Sequence, residues 1–116
     1  MTDDFIVLTP LFALQKQLDE EIAASHQVDY ESTFSRRILA LLVELGEFAN
    51  ETRCFKYWSY KGPSPKETIL DEYADGLHFL LSLGIPLGVS EYKHYFHVTE
   101  KDLTKAIVHT FLQFLL

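Results

Sequence analysis

Apolar residues recur at helical spacing in four stretches of the chain, and the breaks between them fall at glycine, proline or polar clusters. In residues 9–25, TPLFALQKQLDEEIAAS, Leu11, Leu14, Leu18 and Ile22 stand three and four positions apart. With Thr9 as N-cap and Pro10 at the first helical position, the pattern predicts an amphipathic helix whose apolar face is that stripe, with Gln15 and Gln17 on its solvated side. Residues 31–54 carry a second, longer helix that starts near Ser32 or Thr33 and meets no proline. Residues 66–84 carry a third, which opens near Lys66 or Glu67 and stops at Gly84 ahead of Pro86. Residues 86–99, PLGVSEYKHYFHVT, have no clear period and read as a loop with a helical turn. Residues 100–116 carry the last helix, led by Thr99 as N-cap with Asp102 in the first turn. The expected architecture is all-α: four helices, no strand and no internal repeat, in a single domain over residues 1–116.

Two carboxylate pairs interrupt this pattern, Glu44 with Glu47 and Glu72 with Asp75. An i, i+3 pair lies within roughly 60° on a helix, so each helix presents two acids side by side. With Glu44 set at 0°, Ile38, Leu41, Leu42, Leu45 and Ala49 fall between about 60° and 160°, and Glu47 at about −60°. With Glu72 set at 0°, Ile69, Leu70, Tyr73, Leu77 and Leu80 occupy the same arc and Asp75 sits at about −60°, with His78 beyond it and Asp71 on the solvated side. A generic ExxE is usually a solvated face. Here both pairs hold one register beside two separate core stripes, so two packed helices bring the pairs together. Gly46, between the first two acids, costs about 1 kcal/mol against Ala. Either a ligand near the backbone or close helix packing would account for it.

Four oxygen-only side chains suit a hard cation, Mg²⁺ or Mn²⁺, whereas zinc prefers nitrogen and sulfur. Such ions hold phosphates and activate water, which implies phosphoanhydride hydrolysis, with Glu47 placed to orient or deprotonate the water. The connector FKYWSYKGPSPKE adds Phe55, Tyr57, Trp58 and Tyr60 interleaved with Lys56, Lys61 and Lys66. Rings and ammonium groups so mixed suit a base and its phosphates, although aromatics beside a helix end ordinarily seal a small core.

Composition narrows the classes. Ten basic against 17 acidic residues, net −7, argue against nucleic acid and against a membrane surface as partners. The C-terminal run AIVHTFLQFLL is too short for a bilayer span of about 20 residues. One cysteine permits no internal disulfide, and the start MTDDFIVLTP is acidic where a signal peptide is basic, so a cytoplasmic setting is expected. Cys54 reads as a buried structural thiol. The end at Leu115-Leu116 has no capping glycine or polar tail, which points either to a C-terminal truncation or to a last helix covered by a second subunit. An apolar surface of that kind leads to the expectation of a homodimer. Other metal signals are weak: Glu91-x-x-His94 is a single ExxH, His94 and His97 read as surface residues, and Lys61-Gly62-Pro63 lacks a phosphate-loop frame.

Glu44-x-x-Glu47 followed by Glu72-x-x-Asp75 resembles the motif of the all-α nucleoside triphosphate pyrophosphohydrolases, which include MazG-type enzymes and the dimeric dUTP diphosphatases. The stretches ELGEFANETRCFKYWS and DEYADGLHFLLSLG look most like the dimeric dUTPases, and the resemblance covers roughly residues 9–84. It implies a MazG-like dimeric helical bundle that hydrolyses dUTP, and dUDP, to dUMP through a metal-activated water, with pyrophosphate leaving from dUTP. Glu44, Glu47, Glu72 and Asp75 match the family's Mg²⁺ ligands. Gln15 matches a glutamine near the pyrimidine, Trp58 and His78 match positions lining the base pocket, and Asn50, Lys56 and Lys61 match more loosely near sugar or phosphates. Family members usually continue past this chain's end with basic and amide residues that touch the nucleotide. The alternatives are a MazG-type enzyme of broader base specificity and a non-catalytic helical module whose acidic edges bind a basic partner.

Overall fold

The structure, a computed structural model, describes residues 5–88, 93–95 and 101–115. Four helices carry it: α1 (Thr9–Ser25), α2 (Phe34–Thr52), α3 (Lys66–Gly84) and α4 (Leu103–Leu115). The all-α expectation holds, and α1 and α3 begin and end where the sequence pattern places them. One addition was not expected. Strands β1 (Phe5–Val7) and β2 (Lys93–Tyr95) pair antiparallel, Ile6 opposite His94, so part of the segment read as a loop with a helical turn is extended. Its lack of a 3.6-residue period is consistent with that, since three residues of strand are too few to show alternation.

The helix ends differ from expectation in instructive ways. Thr9 is already helical and Leu8 occupies the N-cap position without a side-chain cap, its carbonyl accepting from Leu11 and Phe12. Pro10 still falls in the first turn, where its missing N–H costs nothing. α1 closes with Gln27 at φ 53°, Val28 N–H reaching Ala23 O and Gln27 N–H reaching Ala24 O. That is a Schellman closure with a glutamine in the position glycine usually takes. Ahead of α2, residues Glu31–Thr33 form a 3₁₀ turn in which Ser32 and Thr33 hydroxyls donate back to Asp29 O and Tyr30 O instead of capping the helix. α2 stops at Thr52, two residues short of expectation, because Arg53 turns left-handed at φ 57°. For α4, Asp102 is itself the cap: its Oδ1 accepts the Lys105 N–H at 3.2 Å. The helix thus starts three residues later than read, and Thr99 lies outside the described residues.

By its contacts the chain divides into two compact units, Met1–Ala40 with Leu77–His97, and Leu41–Gly76 with Val98–Leu116. The first buries Phe12, Ala23, Leu81 and Leu83 together with Gln15, Arg37 and Ser82. Here the sequence reading of α1 is reversed. Leu11, Leu14, Leu18 and Ile22 are exposed, while Phe12, Gln15 and Ala23 are buried. The second unit buries Leu41 and Ala49 of the expected α2 stripe, and Phe48 meets Tyr73 edge-to-face at 6.0 Å between ring centres. On α3, Leu70, Tyr73 and Leu80 are exposed although the pattern assigns them to the core stripe. Both departures leave an apolar face exposed on the chain: periodicity marks a face that prefers burial but not whether the chain itself covers it.

Candidate functional site: a carboxylate cluster and a buried polar chain

In the second unit α2 and α3 lie close enough that a Cβ on Gly76 would stand 4.0 Å from Glu44 Cβ, an ordinary contact. This approach sets the acidic edges against each other. Carboxylate oxygens of Glu44, Glu72 and Asp75 come within 4.8 Å of one another. Glu47 is outside that mutual set and exposed, yet its charge acts on both Glu44 and Glu72. Oε2 of Glu44 and Oε2 of Glu72 are buried with no hydrogen-bond partner. Desolvation, followed by the neighbouring carboxylates with Glu47 foremost, pushes Glu44 from 4.5 to about 7 and raises Glu72 as well. Among the described residues nothing lies within 4 Å of a Cβ built on Gly46, so their packing does not account for that glycine.

An orphaned, desolvated oxygen on each of two facing acids is what a cation would satisfy, and a set made only of carboxylates fits Mg²⁺ or Mn²⁺. The residues therefore fit the ion that the sequence suggests.

The connector 53–65 is held by Arg53 and Glu51. Arg53 donates from Nε to Lys61 O at 3.0 Å and from Nη2 to Ser59 Oγ at 2.9 Å. Ser64 binds Glu51 through both its N–H and its hydroxyl. The aromatics do not seal a core, contrary to the ordinary expectation. Tyr57 and Tyr60 are almost wholly exposed, and Trp58 is 63% exposed with Tyr57 packed edge-on at 5.1 Å. Lys56 lies 5.8 Å from the Phe55 ring. Asn50 and Lys61 are exposed, and Lys61 enters the loop through its backbone. Cys54 is exposed, not buried, and borders a cavity of about 250 Å³ with Ala49, Phe55, Thr104, Ile107, Val108 and Leu112. The side chains of Glu91, His94 and His97 lie outside the described residues.

Gln15 and His78 belong to the first unit and meet there, Gln15 Oε1 at 2.7 Å from His78 Nδ1. Gln15 is only 7% exposed, not a solvated residue, and Gln17 alone keeps the solvated place. Behind Gln15 runs a polar chain that periodicity did not single out. Gln15 Nε2 donates to Asp19 Oδ1 at 2.8 Å; Asp19 Oδ2 accepts from Ser82 Oγ at 2.6 Å and Tyr30 Oη at 2.9 Å. Arg37, 8% exposed, donates to Thr33 Oγ1, Tyr30 Oη, Ser82 Oγ and Ser82 O, and stacks on the Tyr30 ring at 4.3 Å. Burial keeps the Tyr30 phenol above its ordinary range, so it remains a donor. A polar i, i+4 pair, Gln15 and Asp19, flanking the leucine stripe on the side of Phe12 and Ala23 was the available signal.

No described helix is long and apolar enough to cross a membrane. Neither the curated proteins nor the solved structures include a match to this chain. The family model for dUTPase, in contrast, matches residues 7–115. That span takes in both carboxylate pairs, the aromatic connector and the Gln15–His78 chain, and it points to hydrolysis of dUTP, a nucleoside triphosphate pyrophosphohydrolase reaction: the chain belongs to the dUTPase family.

Proposed function

We propose that the chain hydrolyses dUTP to dUMP and pyrophosphate in a Mg²⁺-dependent reaction at Glu44, Glu47, Glu72 and Asp75, with Mn²⁺ able to substitute and dUDP a further substrate. The observation that carries the metal dependence is the pair of buried, unpartnered oxygens, Glu44 Oε2 and Glu72 Oε2, within a cluster of acids that repel one another. When bound, the ion would neutralise the acids and the phosphate oxygens and lower the pKa of water at the site. Glu44, Glu72 and Asp75 would hold it. Glu47, exposed at the rim, orients the attacking water and takes its proton. Trp58 stacks on the base, Gln15 and His78 bind its edge, and Asn50, Lys56 and Lys61 attend to sugar and phosphates.

The exposed apolar faces of α1 and α3 support a homodimer, and net charge −7 supports a partner list without nucleic acid. A single, exposed cysteine fits a reducing, cytoplasmic compartment. Pyrophosphate release from purified protein, assayed with Mg²⁺ against deoxyuridine, deoxycytidine, thymidine and purine triphosphates, is the direct test. Release confined to dUTP is expected. Equal release from several bases would favour a broader MazG-type enzyme, and none from any would favour a non-catalytic helical module.

A further inference from the structure

Three hydrogen bonds of the buried chain in the first unit converge on one carboxylate. Asp19 accepts from Ser82 Oγ, Tyr30 Oη and Gln15 Nε2. Arg37 Nη1 donates to Ser82 Oγ at 2.8 Å and to Tyr30 Oη at 3.2 Å, which occupies hydroxyl lone pairs and leaves both protons for Asp19. With Asp19 the acceptor of these bonds, the Gln15 amide turns its NH₂ to Asp19 and its oxygen to His78. The amide oxygen only accepts. His78 Nδ1, 2.7 Å away, therefore carries the proton. In the neutral ring Nε2 is then a lone-pair acceptor, on a residue that is exposed.

We propose that Asp19 is a positioning residue for base selection: it fixes the Gln15 amide and, through it, the Nδ1–H tautomer of His78, so that Nε2 offers a lone pair to an N–H on the base edge. This rests on the reading that Gln15 and His78 contact the base. Uracil carries such a donor at N3, whereas cytosine has a bare ring nitrogen there, which would set lone pair against lone pair. Reversing the amide would set Gln15 Oε1 against Asp19 Oδ1, acceptor against acceptor at a buried site, so the chain resists accommodating the wrong base.

Long-range ¹H–¹⁵N NMR of the nucleotide-free full chain, at a pH where the ring is neutral and with His78→Gln for assignment, reads the tautomer directly. His78 is expected as Nδ1–H. Asp19→Asn, whose amide can present either oxygen or NH₂, should move it toward Nε2–H and lower the dUTP-over-dCTP ratio of kcat/KM about tenfold, mainly through KM. A wild-type Nε2–H ring overturns the proposal without any variant, as does an unchanged tautomer in folded Asp19→Asn. A tautomer change with base selection intact would instead overturn the base contact, and with it the assignment of Gln15 and His78 to the pocket.

Discussion

Glu44 on α2 and Glu72 on α3 each bury a carboxylate oxygen that accepts no hydrogen bond, and their carboxylates lie within 4.8 Å of each other. This relationship has a pH signature. Glu44 titrates near 7 in the folded chain against 4.5 for an ordinary glutamate, so between those values the folded state binds more protons than the unfolded state. Stability of the metal-free protein should therefore be greatest below about pH 4.5 as far as this group is concerned, and should fall as pH rises toward 7, with Glu72 adding in the same direction. Denaturant titrations from pH 5 to 8 in EDTA should show the decline, and saturating Mg²⁺ should remove it. A profile that is the same with and without metal would contradict the site.

Glu44→Gln separates the charge from the shape. Without metal the variant should melt higher than wild type at pH 8, because a desolvated charge beside three others is gone. Wild type should gain about 2.7 kcal/mol at a Mg²⁺ concentration a hundredfold above Kd, several degrees in Tm, and the variant should gain little. Equal Mg²⁺ shifts in the two proteins would remove Glu44 from the ligand set.

Glu47 is the exposed member of the cluster, so its role should appear in turnover more than in binding. Glu47→Gln is expected to lower kcat by about 10²- to 10⁴-fold while retaining helicity and part of the Mg²⁺ shift. Full turnover in that variant would exclude Glu47 as the group that takes the proton.

Trp58 is 63% exposed, with Tyr57 and Phe55 packed edge-to-face against it. If a base stacks there, dUTP should quench its fluorescence, and Trp58→Ala should raise KM by roughly 5- to 150-fold, from about 1–3 kcal/mol per stacked base, with a smaller change in kcat. An unaltered KM would return the connector aromatics to an interface role.

How far the sequence foretold these features depends on the range of the interaction involved. The helices were legible because a stripe at 3.6-residue spacing and a stop at Gly84-Ile85-Pro86 are local signals. Convergence of Glu44, Glu72 and Asp75 was legible too, since a shared offset from two core stripes is a statement about packing. The buried Asp19 chain was not, because its partners Ser82 and Arg37 come from distant parts of the sequence and each alone looks like a surface residue. Nor was the orientation of α1, whose leucines suggest a core that the described residues do not supply.

That orientation yields the last prediction. Leu14 is 62% exposed, with Leu11, Leu18 and Ile22 exposed along the same helix. On a face open to water, Leu14→Glu changes stability by no more than about 0.5 kcal/mol, whereas in a buried interface it places a charge where no partner waits. If a second copy covers α1, sedimentation should show wild type as a dimer and Leu14→Glu as a monomer, with the variant's Tm falling and becoming independent of concentration. A dimer of undiminished affinity in Leu14→Glu would mean that α1 is not the covered face, and Leu70→Glu on α3 would then carry the same test to the other open stripe.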